Sequence, residues 1–220
     1  ALAWQHYKQD QYLKGTYGEG EYGTPEFKGC SVGCMANGLH SNYTELFGVI
    51  PQIAYLSDAI FEGLNVPESA LWTPQLFEAI QVGSDTQVIF HKFMHFILVD
   101  SEHGVSRFND CDEIKHVAEL HLKAANGEVI TDAQWDMAAQ SATDAAYDAA
   151  ASTDAYAART AAYAARTART AARAAYAADD AVQAAVHVAA YADADAREKH
   201  YQIMRDKLIQ LFKNEVVVNN

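Results

Sequence analysis

Cys30 and Cys34 stand four positions apart in the segment Gly29-Cys30-Ser31-Val32-Gly33-Cys34, and His40 follows shortly after. A thiol placed at a helix N-terminus has a lowered pKa and becomes a nucleophile, with a nearby imidazole as its base. Asp58 and Glu62 lie one helical turn apart, a carboxylate pair suited to acid–base work or to holding a cation. Cys30, Cys34, His40 and Glu62 thus form the candidate catalytic set of a thiol-dependent enzyme. A plainer reading is open beside it: two thiols buried as small hydrophobes under a tight turn, and two carboxylates on an exposed helix face. The C-x3-C-x5-H spacing, with Cys111 as the third thiol, departs from that of structural zinc sites, so neither metal nor cofactor is expected.

A second constellation lies in the C-terminal third. At 100° per residue, Arg159, Arg166, Arg169 and Arg173 fall within an arc of about 80°, with Tyr156 and Tyr163 at its edge. Guanidinium forks beside aromatic faces suit a flat, anionic, nucleotide-like ligand. The same arginines can equally pair with aspartates of a neighbouring helix. His91 and His95, also one turn apart, read best as half-buried histidines with hydrogen-bond partners, since no H-E-x-x-H pattern accompanies them. No Walker loop, dinucleotide fingerprint or G-x-S-x-G elbow is present.

These groups must be positioned by helices. After Pro74 there is no proline and after Gly127 no glycine, and from Ala138 to Ala196 about every second residue is alanine, the best helix former. One helix from Asp132 to Phe212 would run roughly 120 Å, whereas a compact chain of this length has a radius of gyration of about 17 Å. The charge order is acidic through Asp154, basic from Arg159 to Arg173, then acidic again from Asp179. That order predicts a tract folded back on itself, with turns near residues 151–154 and 179–180. Upstream, Leu2–Leu13 reads as a helix and residues 15–29 as a glycine-rich loop or hairpin. Helices follow from Pro51, from Pro67 (with a kink or restart at Pro74), after Ser84-Asp85 and after Asn109-Asp110. The fold class is all-α. A globular helical region spans residues 1–127, an alanine-rich bundle returning to the core spans 128–215, and 216–220 form a tail.

The formal charge of −13 over 220 residues argues against general nucleic-acid binding. No apolar run is long enough for a membrane span. Three cysteines cannot all pair, which suits a reducing cytoplasm. The segments Phe27–Cys34, Gly48-Val49-Ile50-Pro51 and Asp58–Leu64, followed by the alanine- and arginine-rich tail ending in Lys207-Leu208-Ile209, resemble a set of uncharacterised proteins of bacteria and their phages. That resemblance implies an accessory, mobile-element setting and brings no activity with it. The leading expectation is a non-enzymatic cytoplasmic binding protein that sequesters a small anionic ligand or engages a protein partner. The alternatives are the thiol enzyme and a structural homo-oligomer paired through its alanine helices.

Overall fold

The computed structural model describes residues 2–150, 181–186 and 196–215. Among these residues the chain is all-α, with no strand and only the isolated bridges Tyr12–Gly29 and Glu19–Lys28. It divides into two compact units, Ala1–Thr86 with Met204–Asn220, and Gln87–Ile203. No described helix is long and apolar enough to cross a membrane.

In the first unit, α1 (Leu2–Lys8), α2 (Ser31–Ala36), α3 (Asn42–Phe47), α4 (Pro51–Gly63) and α5 (Val66–Ala79) pack on one another. Local chemistry sets their ends. Pro51 opens α4 with its φ already helical and no amide to satisfy. Asn65 caps α5 by accepting from the Glu68 amide (3.1 Å), and its own side-chain amide donates to the Glu68 carboxylate (3.1 Å). The core beneath is built from Ile53, Leu56, Ile60 and Phe61 of α4 with Trp72 and Leu76 of α5, all fully buried. Trp72 Nε1 donates to the Ser57 carbonyl at 2.9 Å, which locks α5 onto α4.

Two local details are settled here. Pro74 lies inside α5, which runs from Val66 to Ala79 without the restart that was one of its two expectations. Trp72 and Leu76 flank it and are both buried, so packing holds both halves of the helix despite the missing amide. The first helix ends at Lys8 rather than Leu13, because Asp10 turns left-handed (φ 54°). Gln11 to Leu13 then run beside Gly29, with Leu13 N–H donating to the Gly29 carbonyl (2.8 Å) and Gly29 N–H to that of Gln11 (2.9 Å). Residues 15–29 are the loop expected of them.

The second unit contains α6 (Thr86–Val99, from Gln87 onward), α7 (Asp112–Ala125) and α8 (Asp132–Ala150). Thr131 and Gln134 close a reciprocal cap at the start of α8: Gln134 N–H donates to Thr131 Oγ1 (3.3 Å) and Thr131 N–H to Gln134 Oε1 (2.9 Å). α8 packs on α7 and buries a stripe of alanines, Ala138, Ala139, Ala142 and Ala146, at helical spacing. Each buried methyl is worth about 0.8 kcal/mol, so the tract stabilises by number rather than by size. Residues 181–186 are helical and bury Ala181, Val182, Ala185 and Val186. A final helix, α9 (Ala196–Asn214), places Met204, Leu208 and Phe212 in buried positions of the first unit. There Arg205 Nη1 pairs with Glu68 of α5 at 3.2 Å. The expected turns near 151–154 and 179–180 lie outside the described residues.

Candidate functional site

The Gly-Cys-Ser-Val-Gly-Cys segment becomes the N-terminus of α2, and its two cysteines part company there. Cys30 is the N-cap, its Sγ accepting from the Gly33 amide at 3.4 Å. Cys34 faces the other way and donates to the Gln11 and Gly29 carbonyls at 3.5 and 3.4 Å. Both thiols are free and buried. Cys34 is enclosed by these carbonyls, its thiol pushed up to about 12 by burial. Cys30 is the one that faces carboxylates.

Cys30 Sγ lies with one carboxylate oxygen each of Asp58 and Glu62 in a group whose ligand atoms are all within 4.8 Å of one another. Asp58 and Glu62 come from successive turns of α4, and the face they share is turned onto the start of α2 rather than to solvent. Asp58 is only 15% exposed. His40, in the turn between α2 and α3, brings Nε2 to 3.8 Å from Asp58 Oδ2. Its ring stacks on Tyr55 (centroids 3.9 Å, 13°) and meets the edge of Tyr17 (5.6 Å, 84°). Cys30, His40 and Glu62 thus converge around Asp58.

A loop covers this cluster. Lys14 Nζ donates to the Leu64 carbonyl just past α4 (2.6 Å), and Gly15 N–H donates to both carboxylate oxygens of Glu62 (3.0 Å each). Cys30 N–H donates to the Thr16 carbonyl at 2.9 Å. The loop comes this close because two glycines let it. A Cβ on Gly33 would sit 1.8 Å from the Tyr17 carbonyl oxygen, and one on Gly29 would sit 2.7 Å from the same atom. Gly29 and Gly33 admit this close backbone approach.

The electrostatics run against a free thiolate. The N-cap position would lower the Cys30 pKa, yet the thiol is held well above the ordinary range. Burial is the largest cause, followed by the negative charge of Asp58, to which the thiol also donates a hydrogen bond. Desolvation and a neighbouring carboxylate thus act against the activation that a helix N-terminus would bring. Tyr43, from α3, is fully buried and within electrostatic reach of Cys30 and Asp58. Its hydroxyl leans towards Ser31 and Ser57 but meets no partner at hydrogen-bond geometry. Tyr17, Tyr43 and Tyr55 carry no sequence signal that joins them to Cys30, because each reaches the site through tertiary packing.

The other expected constellations fare differently. Arg159, Arg166, Arg169, Arg173, Tyr156 and Tyr163 lie outside the described residues. His91 finds its partner on α7 rather than one turn along α6. Its Nδ1 lies 2.9 Å from that of buried His121, and the Trp135 ring sits 4.7 Å from the His121 ring. A cleft of about 630 Å³ in the first unit runs between α5 and α9, but its Arg205 is engaged by Glu68 and Asp206. Comparison with protein-family models, with curated proteins and with solved structures finds no match to this chain.

Proposed function

We propose that this chain is a binding protein whose ligand is a divalent cation, held in the first unit by Cys30, Asp58 and Glu62. The observation that carries this reading is the gathering of a thiol and two carboxylates within 4.8 Å in a largely buried place. Two carboxylates at that separation repel by about 3 kcal/mol at an effective dielectric near 20. A cation turns that repulsion into attraction and relieves the pressure that Asp58 places on the Cys30 thiol. The raised thiol disfavours the alternative, a thiol enzyme, because the protonated form is a poor nucleophile. Titration calorimetry of the full chain with Mg²⁺, Mn²⁺ and Zn²⁺ tests the reading. One saturable equivalent, weakened in Glu62→Gln, is expected; no binding of any of the three would overturn it.

Sequestration of an anionic, nucleotide-like ligand by Arg159, Arg166, Arg169 and Arg173, in an accessory protein of phages or mobile elements, is a second reading. It is favoured by the arginine stripe of the sequence. A nucleotide co-purifying with the chain in native mass spectrometry would support it, and its consistent absence would count against it.

A further inference from the structure

Resting on the cation reading, we infer that the occupant is a thiophilic transition metal of the zinc class, bound by Cys30 as thiolate with Asp58 and Glu62, and that His40 Nε2 is the fourth ligand.

The donor set argues for the metal. Magnesium and calcium take oxygen ligands almost exclusively, whereas a sulfur and an imidazole nitrogen beside two carboxylates suit zinc, cobalt or ferrous iron. The geometry agrees. With bonds of about 2.0 Å to oxygen and nitrogen and about 2.3 Å to sulfur, tetrahedral ligand atoms lie roughly 3.3–3.6 Å apart. The Cys30, Asp58 and Glu62 donors lie within 4.8 Å of one another, so shifts of a fraction of an ångström to about 1.5 Å bring these three to that spacing, while His40 Nε2, 3.8 Å from Asp58 Oδ2 but outside the 4.8 Å group, turns inward to complete the shell. The thiol proton leaves to solvent as the metal enters.

The surroundings are those of an oriented site. His40 stacks on Tyr55 and meets the edge of Tyr17, which narrows the directions open to its ring. Glu62 is held by the Gly15 amide through both oxygens, so one can turn to the metal while the other keeps its outer partner.

The test is a Co²⁺ titration of the chelator-stripped full chain followed by optical spectroscopy. An intense near-ultraviolet thiolate-to-cobalt band is expected, retained in Cys111→Ser, lost in Cys30→Ser and reversed by excess Zn²⁺. His40→Gln should weaken cobalt at least about tenfold. The wild-type spectrum needs no variant to fold. Cobalt bound without the band, or a band that survives Cys30→Ser, would overturn the inference while Mg²⁺ or Mn²⁺ binding left the cation reading standing. An unchanged affinity in His40→Gln would remove the fourth ligand. Failure of every metal to bind would sink both.

Discussion

The substitution Gly33→Ala adds one methyl group at a point where helix propensity and packing disagree. Gly33 lies inside α2, where alanine would be favoured by about 1 kcal/mol on propensity alone. The space is occupied, however. The new Cβ would sit 1.8 Å from the Tyr17 carbonyl oxygen and 2.7 Å from its carbon, against a practical minimum of 3.0 Å. The Tyr17 backbone must retreat by more than an ångström. It belongs to the loop in which Gly15 donates to Glu62 and Thr16 accepts from Cys30. Overpacking of this kind costs about 1–3 kcal/mol, and each hydrogen bond lost about 1 kcal/mol more. Set against the propensity gain, the net loss is about 2–4 kcal/mol, or a fall in Tm of roughly 4–16 °C for a chain of this size. Urea unfolding followed by circular dichroism measures it. Divalent-cation affinity should drop in the same variant, because Glu62 loses the amide that aims it. A Gly33→Ala chain as stable as the parent, or more so, would refute the reasoning that Gly33 is present for the close approach of the loop.

Further outcomes follow from the buried titratable groups. His200 is buried, and desolvation, then His103 and Arg107, lowers its pKa from 6.5 to about 4. The unfolded chain therefore takes up the proton first, so stability is intact above pH 6.5 and is lost progressively as pH falls towards 4, by about 3 kcal/mol from this group. Unfolding midpoints recorded across that window should fall less steeply in His200→Gln, and parallel curves would show that His200 is not responsible. With iodoacetamide at neutral pH, partly exposed Cys111 should label first, with buried Cys30 and Cys34 slow. Peptide mapping that finds Cys30 labelled fastest would restore the thiol-enzyme reading.

Much of the first unit was legible in the residues because its causes are local. Pro51 at the start of α4 in the first unit, and Thr131 at the start of α8 in the second, act within four residues of themselves. The all-α class and the alanine seam of α8 rest on propensity and period, which are one-dimensional quantities. What was not legible required ring closure. Gly15 reaches Glu62 across 47 positions, and His91 meets His121 across 30. Pro74, read locally as a kink or restart, starts no new helix, and Trp72 and Leu76 on either side of it are both buried.

By itself, then, the order of residues determined that this chain is helical, where most of its helices begin, and that Cys30, His40, Asp58 and Glu62 were worth suspecting. It could not decide which cysteine faced the carboxylates, nor whether Asp58 and Glu62 looked outward. Those choices were made by tertiary structure: a six-residue helix was seated against α4 by a loop that only glycine at 33 and 29 admits. The physical reason is that period and capping are short-range, whereas the direction a side chain faces is settled by what packs against its helix.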